Sequence, residues 1–141
     1  VIKGDDTDAH IDTLARFCNQ DTIAYSIDSS PELLAMEEEL QSLTQSNSKK
    51  FNLIPLPIPN YILEGKRLPA TYTNFLITNN KVLVPVYNTP EDAYAIKQFK
   101  SCFNTRKVVP INCEALISQG GSLHCVTMQL PKGFLNLALL S

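Results

Sequence analysis

Apolar and polar residues first alternate and then recur at helical spacing, and this change of period happens twice along the chain. From His10 to Phe17 and from Thr22 to Ile27 the alternation predicts two short strands, joined by the turn Cys18-Asn19-Gln20-Asp21. Ser30 and Pro31 mark a helix start, and Leu33, Met36, Leu40 and Leu43 form an apolar stripe that runs to about Ser46. The polar run Gln45 to Lys50 turns the chain into a third strand, Phe51 to Pro57, whose prolines favour an edge position. After a proline-rich connection, Pro55 to Pro69, the order returns. Tyr72 to Thr78 and Lys81 to Tyr87 read as strands around Asn79-Asn80, residues that tolerate the positive φ of a tight hairpin. Thr89-Pro90-Glu91-Asp92 opens a helix with apolar face Ile96, Phe99 and Phe103, and Lys107 to Asn112 is the strand that follows.

Strand, strand, helix, strand thus occurs twice with a period of about sixty residues, which implies a solenoid or a radial array. His10 and Asn74 fall near equivalent points of the two first strands. A short helix, Glu114 to Ser118, and a strand, Ser122 to Gln129, look like the opening of another unit, followed by an apolar tail, Phe134 to Leu140, read only as packing surface. The fold class is α/β, with modules at approximately 9–57 and 70–112, then 113–141. Two and a fraction units suggest the C-terminal part of something larger.

The 141 residues suit one domain, and a 44% hydrophobic content supports a core. A net charge of −2, with 12 basic and 14 acidic side chains, gives no footprint for nucleic acid or an anionic membrane. Cys18, Cys102, Cys113 and Cys125 form no CxxC pair and no zinc-knuckle spacing, so all four read as thiols of a reducing, cytoplasmic compartment. Nothing resembles a signal peptide or a membrane-spanning helix, although the chain begins at Val1, so a leader could have been removed.

Candidate chemistry gathers at Gly120 to Gln129, GGSLHCVTMQ. Gly120 and Gly121 allow a tight turn or close approach to a ligand, and Cys125 at its mouth is placed like a nucleophile. The plainer reading of Cys125 is a small buried hydrophobe. His10 and Asp12, two apart on a strand, would share a face and set an imidazole beside a carboxylate, unless they form an ordinary surface pair. Arg16 would pair with Asp12 or with the acidic run Asp5, Asp6 and Asp8, itself read as a solvated turn. In a strand His124 and Cys125 point to opposite faces, which disfavours His124 as the base serving Cys125 and also a metal site built from His10, Asp12, His124 and Cys125. Asn74, polar within the apolar TYTNFLI, must be hydrogen-bonded or functional.

TDAHIDTLARF, LPATYTNF and GGSLHCVTMQLP, in this order, resemble segments of agmatine deiminases and of the related Porphyromonas-type peptidylarginine deiminases. The resemblance runs from about Asp5 to Pro131, with Ala9 where family members usually have glycine. It implies the guanidino-group-modifying, or pentein, superfamily: a five-bladed α/β propeller of strand-strand-helix-strand modules, about two fifths of which would lie here. It also implies Cys125 as nucleophile, His10 as general acid/base, and Asp12 as the carboxylate that binds the guanidinium. Asn74 matches a substrate-binding position near the site, and the glycines give room for a planar guanidinium. The implied reaction is hydrolysis of agmatine to N-carbamoylputrescine and ammonia, a step of polyamine metabolism, without cofactor or metal. A peptidylarginine substrate and a silent cation-binding module are the alternatives. Further carboxylates and an aromatic would come from N-terminal modules of the same enzyme, so the 141 residues alone are expected to be inactive and prone to associate, with homo-oligomers as one outcome.

Overall fold

The computed structural model describes residues 10–131, 133 and 134. β1 (Ala15–Phe17) runs antiparallel to β2 (Thr22–Ile27); α1 (Pro31–Ser42) then leads to β3 (Asn52–Pro57), parallel to β2, giving the sheet order β1-β2-β3. β4 (Ile62–Leu63) and β5 (Lys66–Arg67) make a small hairpin inside the proline-rich connection, where the sequence pattern predicts no element. Its turn residues, Glu64 and Gly65, have φ of 50° and 77°, as a two-residue hairpin turn requires. β6 (Leu76–Ile77), β7 (Lys81–Val86), α2 (Asp92–Cys102) and β8 (Lys107–Asn112) then repeat the first arrangement as β6-β7-β8, and α3 (Glu114–Ile117) follows. Among the described residues these are two separate three-stranded sheets rather than a closed ring. No described helix is long and apolar enough to cross a membrane.

The two units share one core. Val82 and Val84 of β7 and Ala95 and Phe99 of α2 are buried with Cys18, Ala24 and Leu56 from the first unit. Phe75 enters this cluster just before β6, its ring 4.8 Å from that of Phe99 and 6.0 Å from that of Phe103. Burying such a ring contributes roughly 1.5–3 kcal/mol by removing apolar surface from water. α1 contributes less than its stripe predicts. Only Leu33 is buried, against Ile58, and the helix stops at Ser42, where Leu43 turns to extended backbone (ψ 143°) and Lys50 Nζ caps the carbonyls of Gln41 (2.7 Å) and Ser42 (2.8 Å).

Three expected strands are corrected where they meet the site. The first begins only at Ala15 and the second only at Leu76; each is preceded by a 3-10 turn, Ile11–Thr13 and Tyr72–Asn74. The cause is local hydrogen bonding by short polar side chains. The Thr13 amide and hydroxyl both donate to the His10 carbonyl, at 3.1 and 2.7 Å, and the Thr73 amide donates to the Thr71 hydroxyl at 3.3 Å. His10 therefore corresponds to Thr71, each preceding its turn, and Asn74 corresponds to Thr13; the expected equivalence of His10 and Asn74 does not hold. Nor do His10 and Asp12 share a strand face. The third, Ser122 to Gln129, is a turn over residues 123–126, closed by the Thr127 amide and hydroxyl donating to the His124 carbonyl at 3.0 and 2.8 Å. Asn79-Asn80 also manage their hairpin without positive φ, with the Lys81 amide donating to the Thr78 hydroxyl at 3.1 Å.

The two 3-10 turns are locked together by hydroxyls. Ser26, Thr71 and Thr73 all donate to the Thr13 carbonyl, at 3.0, 3.0 and 2.7 Å, and Thr71 and Thr73 stand 2.7 Å apart. This fixes His10 to Thr13 against Tyr72 to Asn74. The acidic run at Asp5, Asp6 and Asp8, Ala9 and most of the apolar tail lie outside the described residues.

Candidate active site

Asn74 is the centre on which the site is built. Its Oδ1 accepts the amides of His124 (2.8 Å) and Cys125 (3.3 Å), which holds the 123–126 turn onto the second 3-10 turn. Its Nδ2 donates to Asp12 Oδ2 (3.1 Å), to the Asp12 carbonyl (3.4 Å) and to Cys125 Sγ (3.3 Å). Residues from three separate segments therefore meet at one amide. Asn74 itself is fully buried, which fits the expectation that a polar residue in an apolar stretch must be satisfied.

The strand expected through His124 is absent. Because residues 123–126 form a turn, alternation does not separate His124 from its neighbours, and its Nδ1 lies 2.6 Å from Asp12 Oδ2. Asp12 Oδ2 thus meets both Asn74 and His124. The cue available in the sequence was Gly120-Gly121, residues that favour a turn over a strand. The argument that set His124 apart in the metal-site reading falls with the strand, yet no group of three or more metal-ligating side chains forms among the described residues.

Cys125 is exposed and faces a cavity of about 300 Å³ whose lining includes His10, Thr71, Gly120, Gly121 and Ser122. His10 and Cys125, the expected base and nucleophile, thus border one space, whereas His124 is not among its lining residues. Gly120 has φ of 85° and ends α3, its amide donating to the Ile117 carbonyl at 3.0 Å. A Cβ on Gly121 would stand 3.2 Å from Cys125 Cβ, so this glycine leaves room for the thiol itself. Ser122, buried, gives its hydroxyl to that of Tyr87 at 2.7 Å, and the Tyr87 hydroxyl in turn donates to the Thr71 carbonyl.

Arg16, expected to pair with an acid, is instead held at Phe75. Its guanidinium donates to the Phe75 carbonyl and lies over the Phe75 ring, 4.5 Å from the centroid. Burial lowers its pKa, opposed chiefly by the negative charge of Asp12. The other thiols differ from Cys125 in setting. Cys18 is raised by its hydrogen bond with Cys102 and by burial, Cys102 is lowered as the partner in that bond, and Cys113 is raised by burial.

A model of the Porphyromonas-type peptidyl-arginine deiminase family matches residues 1–131. The chain belongs to that family. A Porphyromonas gingivalis protein provisionally assigned as an arginine deiminase has 46% identity and a TM-score of 0.90 over 96% of this chain and 42% of its own. A cysteine-to-serine variant of C. jejuni agmatine deiminase, solved with substrate bound, has 40% identity and a TM-score of 0.77 over 88% of this chain and 38% of its own. A curated relative from Selenomonas ruminantium, provisionally named an agmatine deiminase, is 31% identical over 92% of this chain and 42% of its own length. The chain therefore spans about two fifths of the length of these relatives in the deiminase family.

Proposed function

We propose that this chain carries the nucleophile side of a guanidine deiminase site, with agmatine as the substrate. The observation that carries the reading is that Cys125 and His10 border one cavity while Asn74 ties the Cys125 sulfur to the Asp12 carboxylate. A guanidinium carbon is electron-poor but resonance-stabilised, so its attack needs a thiolate, and the cation needs a carboxylate to hold it. Cys125 Sγ attacks this carbon to give a tetrahedral adduct, and His10 protonates the departing ammonia. The amidino-thioether that remains is hydrolysed by water that His10 deprotonates, returning the thiol and releasing N-carbamoylputrescine. Asp12 orients the guanidinium, and Gly120 and Gly121 keep side chains out of its plane.

Agmatine is favoured by the curated relative and by the substrate-bound C. jejuni structure, both named agmatine deiminases. The family description favours a second reading, protein-bound arginine converted to citrulline. In either case the chain supplies two of the modules of a five-bladed propeller, at about 9–57 and 70–112, with 113–141 as part of another, and the upstream modules complete the carboxylate set. One carboxylate leaves half of a guanidinium unpaired, so the 141 residues alone do not turn over.

The test is ammonia release from agmatine and from a peptidylarginine, assayed on the full-length parent protein and on this chain. The parent is expected to release ammonia from agmatine, with loss of activity in Cys125→Ala, and the chain is expected to be silent. Release by the chain alone that Cys125→Ala abolishes would overturn the incompleteness of its site. A parent active only on peptidylarginine would select the second reading, and a parent silent on both would leave a cation-binding module.

A further inference from the structure

Asn74 touches both groups that the reaction needs, yet it has no exposed surface. Its orientation is dictated by its neighbours. The amides of His124 and Cys125 can only donate, so the side-chain oxygen must face them, and both of its lone pairs are then used. The nitrogen is left to face Asp12 and the sulfur, with two hydrogens for the Asp12 carboxylate at 3.1 Å and Cys125 Sγ at 3.3 Å. The approach of the sulfur to Oδ1 is longer, at 3.5 Å, and meets an oxygen already satisfied. Sulfur is therefore an acceptor here, which is the role a thiolate fills better than a thiol.

We propose that Asn74 is a positioning residue whose side-chain nitrogen bridges the Asp12 carboxylate and the Cys125 thiolate, fixing their separation and favouring the ionised sulfur. Two anions so close would repel, and a shared donor between them offsets that repulsion. His124 Nδ1, 2.6 Å from the same Asp12 oxygen, braces the carboxylate from the other side. The idea extends the reading of Cys125 as a nucleophile, but its test needs no turnover. Direct grip on substrate, the role carried by resemblance, would require exposed surface that Asn74 does not have.

Asn74→Asp keeps the size and the oxygen that accepts the two backbone amides but replaces the donor. Asn74→Ala removes the donor without adding charge. Alkylation of Cys125 by iodoacetamide, followed against pH in the 141-residue chain by peptide mass spectrometry, reads the fraction of thiolate. Both variants are expected to move the midpoint upward, Asn74→Asp by about one unit or more, which is about tenfold slower reaction below the midpoint. Unchanged midpoints in variants that melt like the parent chain would overturn the proposal. Should the variants not fold, the unsubstituted chain decides. The Asn74 side-chain amide protons are expected to shift in NMR spectra as Cys125 titrates and to lose that response in Cys125→Ser; no response in the parent chain would also overturn it. An inactive deiminase with a responsive Asn74 would refute the function and leave this clamp standing.

Discussion

The two strand-strand-helix-strand units begin with matching 3-10 turns, but one turn is open to the cavity and the other is sealed beneath it. His10 and Ile11 are exposed, with Asp12 half-buried beside them; Tyr72, Thr73 and Asn74 are all buried. The same backbone device therefore exposes ionisable side chains in one unit and packs into the core in the other. The difference arises from what each turn packs against. Tyr72 gives its hydroxyl to Asp92 at 2.7 Å and Phe75 enters the α2 cluster, whereas no residue of the Ile11–Thr13 turn is buried. Duplication of a framework thus does not require duplication of a site.

Stability measurements on the two turns can break this comparison. The largest effect is expected from Phe75→Ala, which empties the space against Phe99 and Phe103 and should cost about 3–5 kcal/mol in denaturant unfolding. A cost near zero would mean that the second turn is not anchored by the core. Thr73→Val removes a buried hydroxyl that donates to the Thr13 carbonyl, and about 1–3 kcal/mol should be lost by the same assay.

Asp28 sharpens the comparison at the edge of the first unit. Burial raises its pKa, but the Ser30 hydroxyl and amide outweigh that by donating to the carboxylate, so the net direction is downward. A carboxyl depressed in the folded state contributes stability above its unfolded value and loses it as pH falls through the folded one. The destabilisation by Asp28→Asn, measured by urea titration, should therefore be present at neutral pH and shrink in acid; a penalty independent of pH would contradict the assignment. His10→Ala is expected to be the mildest change, within about 0.5 kcal/mol, because the side chain is exposed. A large loss of stability there would make His10 a structural residue.

Much of this frame was legible in the sequence because it rests on period. The apolar runs within Thr22 to Ile27 and Lys81 to Tyr87 and the helical spacing of Ile96, Phe99 and Phe103 placed β2, β7 and α2 close to where they lie. Cys125, His10, Asp12 and Asn74 were named as candidates from residue type and family resemblance, and the structure brings them to one cavity or one hydrogen-bonded cluster. What failed was conformation at the site itself. Thr13, Thr73 and Thr127 each close a turn through local bonds that an apolar-polar pattern does not register; the first two shorten the expected strands and the third replaces one. The parity argument that separated His124 from Cys125 fell with the third of these strands, since it holds only inside a strand. The α1 stripe failed for a different reason: Leu43, read as its last position, is extended backbone beyond the helix, and Lys50, distant in the pattern, caps the free carbonyls there.

The central claim is that Cys125 is the atom that attacks the guanidinium. Acid quenching of the full-length protein during turnover of agmatine, followed by peptide mass spectrometry, tests it most directly. The amidino adduct is predicted on the peptide containing Cys125 and on no other cysteine, and ammonia released without any adduct on Cys125, or with an adduct on Cys18, Cys102 or Cys113, would contradict it.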